Sequence, residues 1–311
     1  MAKYFITGGA GFIGLNLLQN LGAASEKLVV FDDFSSGRKK FLRDLSKDVK
    51  VQEGSVLDLR ELKKHTKGCD YVIHLAGQAS VPRSIRDPVE TTETNAIGTL
   101  NTLIAARDAK VKRFIYLGSA TAYGESPSLP KVESMPLSPL SPYAVSTIAA
   151  EHFCRVFFTT YALQTVILRA FSVYGPMQDP SGAHAAVVPR FITTLLDGKP
   201  PLISGDGKQS RDFVHVADVV EAIKSACIAP KAEGEVFNIA SGSRITVNGL
   251  VNMINGLLGK EIQPKYEEAR PGDIRHSLAD VTKAQEMLGF RPRVNILDGL
   301  KTTLDWYRKG Q

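Results

Sequence analysis

The stretch Tyr4-Phe5-Ile6-Thr7-Gly8-Gly9-Ala10-Gly11-Phe12-Ile13-Gly14 decides how the chain is read. A short apolar run of strand type ends in a glycine loop, and the loop opens a helical pattern from Phe12 to Leu21. Gly8, Gly11 and Gly14 stand in the spacing Gly-x-x-Gly-x-x-Gly. Glycine permits the tight turn, the close approach of backbone to a pyrophosphate and the close packing of helix on strand. The helix that follows aims unpaired N–H groups and a partial positive charge at the phosphates. A glycine trio carries little weight alone, but a trio between a strand and a helix is the context this chemistry needs.

The next strand, Leu28 to Phe31, ends at Asp32-Asp33. A carboxylate there accepts hydrogen bonds from the ribose hydroxyls of a dinucleotide and repels a 2′-phosphate, so NAD is expected over NADP. Arg38, Lys39 and Lys40 follow closely and are the competing feature, a set of cations able to hold a phosphate.

Strand and helix patterns then alternate. Strands are read at Val49–Val51, Tyr71–Leu75, Phe114–Leu117 and Thr165–Leu168. Helices are read at Leu59–His65, Asn95–Ala109 and Tyr143–Tyr161. This alternation predicts an α/β fold with a doubly wound parallel sheet, covered by helices on both faces. Residues 1–170 are expected to form an NAD-binding domain, rejoined by about 211–240, and 171–311 mainly a smaller C-terminal substrate domain. The segments Val214–Ala226 and Val236–Ile239 are both expected to return to the main sheet.

Composition narrows the classes. The 311 residues are 43% hydrophobic and 23% charged, the balance of a globular chain. No apolar run approaches the ~20 residues of a membrane span, and Met1-Ala2-Lys3 leads straight into the first strand, so neither membrane nor signal peptide is expected. Cys69, Cys154 and Cys227 fit no metal spacing and read as free thiols of a cytoplasmic protein. The net charge of +6 has two readings, a mildly basic protein or one that takes an anionic small substrate. No dense basic block with interleaved aromatics points to nucleic acid. His74, His152 and His184 lack companion ligands at metal spacing; His74, at the end of a strand, reads as structural, and His184 as a loop histidine.

The motifs taken together resemble the extended short-chain dehydrogenase/reductase family, with its NAD-dependent nucleotide-sugar epimerases and dehydratases, and most of all UDP-glucose 4-epimerase-like enzymes. The resemblance spans nearly the whole chain. It is carried by Gly8–Gly14, Asp32–Gly37, His74–Ser84, Ser119-Ala120-Thr121-Ala122-Tyr123-Gly124, Ser141–Ser146, Leu168–Pro176, Arg211–Val216 and Arg270-Pro271-Gly272-Asp273. It implies a Rossmann fold and a redox reaction without net oxidation, in which Tyr143 removes the proton of a sugar hydroxyl and hydride passes from C4 to NAD and back. Ser119 is implied as its hydroxyl partner. The implied cofactor set is Gly8, Gly11, Phe12, Ile13, Gly14, Asp32, Asp33, Ser36, Gly37, Ser55, Val56, Leu75, Ala76, Tyr143 and Thr147. The implied substrate set is Ser80, Arg83, Ser119, Ser172, Arg211, Arg270 and Asp273, with both arginines on a diphosphate. Ser80 and Arg83 also follow a strand end, where ligands of such sheets sit. A homodimer through the helices at 95–109 and 143–161 is implied as well.

Three positions depart from the family pattern. Tyr-x-x-x-Lys becomes Tyr143-x-x-x-Thr147, so the ammonium that would depress the tyrosine pKa is missing. The Asp-Glu pair of 4,6-dehydratases becomes Ala120-Thr121, which favours epimerase over dehydratase and leaves nearby Glu125 as a loop carboxylate. Ser172 stands where the family usually has asparagine. Thr147 leaves three accounts open: an enzyme of altered or slow chemistry, a sequence or engineered variant of an ordinary enzyme, and a cofactor- or sugar-nucleotide-binding protein that has lost catalysis.

Overall fold

The computed structural model describes residues 1–24, 26–42, 49–181, 186–269 and 274–309. Seven alternating elements open the chain. They are β1 (Lys3–Thr7), α1 (Phe12–Ala23), β2 (Lys27–Asp32), the short α2 (Lys39–Leu42), β3 (Val49–Glu53), α3 (Leu59–Thr66) and β4 (Tyr71–His74), then the short helices α4 (Val81–Arg86) and α5 (Pro88–Thr92). A wide helical turn over Glu93–Ile97 runs into α6 (Gly98–Asp108). β5 (Arg113–Ser119), α7 (Pro142–Tyr161) and β6 (Thr165–Ala170) complete the repeat.

These strands join one seven-stranded sheet, which a late strand closes at one edge. Its order is β11-β6-β5-β4-β1-β2-β3, with every neighbouring pair parallel and β11 formed by Val236–Ile239. Sequence order reverses on the two sides of β1, which opens a crevice at the carboxyl ends of β1 and β4. Strands covered on both faces carry continuous apolar runs, and β6 is buried along its whole length. One face packs Leu15, Leu18 and Leu21 of α1. The other packs Leu62 of α3, Leu103 of α6 and Ala150, Cys154 and Phe157 of α7.

The remainder crosses between this sheet and a second core. It comprises β7 (Ser172–Tyr174), α8 (Val187–Leu196), β8 (Leu202–Ser204), β9 (Ser210–Arg211), β10 (Phe213–His215), α9 (Val216–Ile228), β11, β12 (Ile245–Thr246), α10 (Val247–Leu258), β13 (Lys265–Glu267), α11 (Thr282–Leu288) and α12 (Ile296–Arg308). Phe191, Ile192 and Leu195 of α8 meet Leu250, Val251 and Ile254 of α10 and Leu300 and Leu304 of α12 in that second core. Of the two segments expected to return to the main sheet, Val236–Ile239 does so. Val214–Ala226 does not: Val214 belongs to β10, which pairs with β7 outside the sheet, and from Val216 on the chain is α9, packed across β5 and β6. Its apolar run is the buried stripe of a helix, which periodicity over so short a segment does not separate from a strand.

Candidate functional site

The glycine loop turns sharply at the crevice. Gly8 has φ +67, and a Cβ there would lie 2.6 Å from the Ala76 amide nitrogen, so the loop after β1 rests directly on the backbone after β4. Gly14 is packed as tightly, with a Cβ position 2.6 Å from the Gly8 carbonyl oxygen. Gly11 is the N-cap of α1, and no side chain caps that helix. The three glycines thus divide their work: Gly8 makes the turn, Gly14 seats the helix, and Gly11 leaves the helix N-terminus, with the amides of Phe12 and Ile13, open to an anion.

Asp32 closes β2 beside this loop. Its carboxylate accepts from the Ala10 amide at 2.9 Å and the Phe34 amide at 2.8 Å. Burial raises its pKa, and the two amide bonds oppose that shift. Gly37 packs against it, since a Cβ there would lie 2.7 Å from Asp32 Oδ1. Asp33 is exposed and accepts from the amide and hydroxyl of Ser35, as a loop carboxylate does. Of the neighbouring cations, Arg38 is paired with Asp179, Lys39 with Glu53 at 2.8 Å, and Lys40 lies over the Phe41 ring at 4.7 Å. Ser36 is exposed at the outer edge of the same loop. Ser55 follows β3, its hydroxyl accepting from the Leu57 amide, and the neighbouring Val56 is buried against Gly98.

A buried hydrogen-bond chain holds the loop after β4. The Thr7 hydroxyl and His74 Nδ1 lie 2.6 Å apart, and His74 Nε2 lies 2.9 Å from the Thr99 hydroxyl. Thr99 donates its proton to the Asn95 carbonyl, so it accepts from Nε2–H, and Nδ1 accepts from Thr7. Complete burial lowers the His74 pKa to about 3, so the ring is neutral and structural, as expected. Asn95 accepts from the Gln78 amide at 2.7 Å and donates to the Gln78 carbonyl and the Ser146 hydroxyl, each at 3.0 Å. It fastens the segment after Leu75-Ala76 to the first turns of α7.

That turn carries the candidate hydroxyl groups. Ser141 caps α7 by accepting from the Ala144 amide, and Pro142 occupies the first turn. Tyr143 follows, half-buried, and Ser119 ends β5 opposite it. The Ser119 hydroxyl lies beside the Tyr143 phenol; burial raises the Tyr143 pKa, and the Ser119 hydroxyl opposes the rise. The Ser119 oxygen also accepts from the Thr121 amide at 3.2 Å and the Thr121 hydroxyl at 2.9 Å. Thr147, one turn on from Tyr143, is buried and donates its hydroxyl to the Ala144 carbonyl at 2.9 Å.

The remaining expected substrate residues within the described part of the chain lie on separate elements. Ser80 is the N-cap of α4 and accepts from the Arg83 amide, while the Arg83 guanidinium pairs with Glu90. Ser172 opens β7, its amide bonded to the Asp212 carbonyl. Arg211, in β9, donates to the Ser210 carbonyl at 3.0 Å. Glu125 accepts from the Arg275 amide at 3.0 Å and so ties the loop after Ser119 to the segment before α11. Arg270, Asp273 and His184 lie outside the described residues. Asn95 and Thr121 were absent from the expected set. A lone Asn or Thr inside a helical pattern or a loop carries no periodic signal, and their roles exist only once distant segments meet. Among the described residues, no His, Cys, Asp or Glu group is placed to hold a metal, and no helix is long and apolar enough to cross a membrane.

Residues 4–240 match the family model of the NAD dependent epimerase/dehydratase family. The chain is 36% identical to a UDP-glucose 4-epimerase of Mycolicibacterium smegmatis over 98% of both chains. It is similar in structure to a UDP-glucose 4-epimerase of Thermotoga maritima solved with UDP-glucose, with a TM-score of 0.95, 37% identity and 99% of each chain covered. A UDP-N-acetylglucosamine 4-epimerase from Methanobrevibacter ruminantium M1, solved with UDP-N-acetylmuramic acid, has a TM-score of 0.95 at 35% identity, with 100% of this chain and 99% of that one covered. A glycine-lined helix N-terminus, a buried carboxylate at the end of β2 and a Ser–Tyr hydroxyl pair at the end of β5 are thus found in a chain alike from end to end to such enzymes, and it belongs to the NAD-dependent epimerase/dehydratase family of the extended short-chain dehydrogenase/reductase fold.

Proposed function

We propose that the chain is a nucleotide-sugar 4-epimerase acting on a UDP-sugar-like substrate. The observation that carries the reading is the Ser119 hydroxyl beside the Tyr143 phenol at the carboxyl end of β5, with Ala120 and Thr121 next to it in place of an acid–base pair. Tyr143 removes the proton of the sugar 4-hydroxyl and later returns it. Ser119 holds the phenol oxygen and favours its anion. When bound, NAD supplies hydride acceptance and return at C4. Gly11, Phe12 and Ile13 would receive its pyrophosphate at the open end of α1, and Asp32 its adenosine ribose. The pairing of Arg38 and Lys39 with carboxylates supports NAD over NADP, because both cations are already engaged. Arg211 is assigned to the substrate diphosphate, with Ser80, Arg83 and Ser172 around the sugar; Arg270 and Asp273 join this set from sequence alone. Thr147 supplies no charge to Tyr143, and its hydroxyl serves the α7 backbone.

The lobe built on the main sheet is the cofactor domain and the lobe of α8, α10 and α12 the substrate domain. Ile85, Val89, Ile97, Val145 and Val156 are exposed on the adjoining helices α4 to α7, and this apolar face supports a homodimer. The three buried free thiols fit a reducing, cytoplasmic setting.

The test is incubation of the purified protein with a panel of UDP- and dTDP-sugars in D2O, followed by NMR. Interconversion of 4-epimers without solvent deuterium in the sugar is expected. Deuterium at C5 or C6 would assign a dehydratase instead. Tight NAD and sugar-nucleotide binding without turnover would assign a binding protein.

A further inference from the structure

The oxygen of Ser119 is the acceptor of two hydrogen bonds from one residue, the Thr121 amide at 3.2 Å and the Thr121 hydroxyl at 2.9 Å. A hydroxyl oxygen has two acceptor sites and one proton. We propose that Thr121 is a positioning residue of the reaction: by filling both acceptor sites of Ser119 it commits the single Ser119 proton to the Tyr143 oxygen. The inference deepens the epimerase reading and rests on Tyr143 being the base.

The backbone sets the arrangement. Ser119 ends β5 in an extended conformation and caps the tight turn Ala120–Tyr123, so the Thr121 amide points back at it. The Thr121 side chain folds onto the same oxygen. With both acceptor sites taken, the Ser119 O–H is left for the neighbouring Tyr143 oxygen, and the proposed chain runs Thr121 O–H to Ser119 O–H to Tyr143. Each link polarises the next, so a hydroxyl whose oxygen already accepts is a better donor. The charged form of Tyr143 is an acceptor only, and the chain favours it over the neutral phenol. In this sequence the device bears more weight than usual, because residue 147 is a threonine and brings no ammonium. A serine free to rotate would split its proton between Tyr143 and other acceptors.

Four variants test this, read by kcat/KM against pH and by the near-ultraviolet absorbance of the Tyr143 phenolate, taken as the difference from Tyr143→Phe. Thr121→Val removes the hydroxyl and keeps the shape. It is expected to move the Tyr143 midpoint up by about half a unit to one unit, a roughly three- to tenfold lower rate below the midpoint, with KM held within about twofold. Thr121→Ser keeps the hydroxyl and is expected to keep the wild-type midpoint. In Ser119→Ala, adding Thr121→Val is expected to leave the midpoint where Ser119→Ala put it. An unmoved midpoint in Thr121→Val, or an equal shift with and without Ser119, would overturn the proposal. The absorbance titration needs no turnover, so it separates failure of the relay from failure of the epimerase reading. Should Thr121→Val not fold, Thr121→Ala with the same titration replaces it, with the same outcomes.

Discussion

Thr147→Lys places an ammonium one turn beyond Tyr143, the proposed base. Four residues along an α-helix advance about 6 Å and return to the same face. A unit charge at that separation, in the effective dielectric of about 20 that suits protein sites, stabilises a phenolate by about 3 kcal/mol. That corresponds to a fall of about two pKa units. Tyr143 starts above the ordinary tyrosine value, since burial outweighs the effect of the Ser119 hydroxyl, so its phenolate is scarce at neutral pH. Two units enlarge the phenolate fraction about a hundredfold below the midpoint, and the weaker basicity of the new phenolate returns part of that, leaving roughly a tenfold gain in rate. Thr147 is 6% exposed and gives up its bond to the Ala144 carbonyl, so some loss of stability accompanies the gain. The assay is kcat/KM across pH for wild type and variant, with thermal unfolding as the control for folding. The rising limb should move to lower pH. A folded variant whose limb and neutral rate both stay put refutes the view that this position limits the base.

Three further outcomes follow from the same contacts. Gly8→Ala forces a side chain into φ +67 and to within 2.6 Å of the Ala76 amide nitrogen, so the loops after β1 and β4 part; the strain alone is about 1–2 kcal/mol, and calorimetry should find NAD retention lost along with a lower Tm. His74 titrates at about 3 in the folded chain against 6.5 in the unfolded one. Its contribution is therefore complete above pH 6.5 and is lost as pH falls toward 3. Between pH 7 and pH 5 this amounts to about 2 kcal/mol in urea unfolding, a component His74→Gln should abolish. Glu151 holds Arg169 in two bonds of 2.9 and 2.6 Å, with Arg169 1% exposed; Glu151→Leu strands that guanidinium and should cost about 3–5 kcal/mol in denaturant unfolding, whereas an unchanged midpoint would show the pair to be dispensable.

Much of the site was readable in advance because its signals are local. The glycine loop needs only neighbouring residues to announce a strand, a turn and an uncapped helix, and all three occur at Thr7–Gly14. Ser141-Pro142-Tyr143 likewise announces a helix start with a tyrosine in its first turn. Asp32 and Asp33 were not separable on the same basis. Adjacent carboxylates look alike in sequence, and only burial shows that Asp32 faces the glycine loop while Asp33 turns to Ser35. The apolar run after Val214 failed for a related reason, since burial on a sheet face imposes the same composition on a strand and on a short helix.

By itself, the sequence determined the parallel sheet and the glycine loop that joins its first strand to its first helix, because each depends on residue type and spacing within a few positions. It also determined the absence of a lysine at 147, which no folding alters. Tertiary structure alone decided which groups hold which. Asn95 ties Gln78 to Ser146, Thr7 and Thr99 hold the buried His74 between them, and Arg38 pairs with Asp179. These pairings join residues far apart in the chain. Hydrogen bonds and ion pairs depend on distances of about 3 Å, and only the packed fold sets such distances between remote residues.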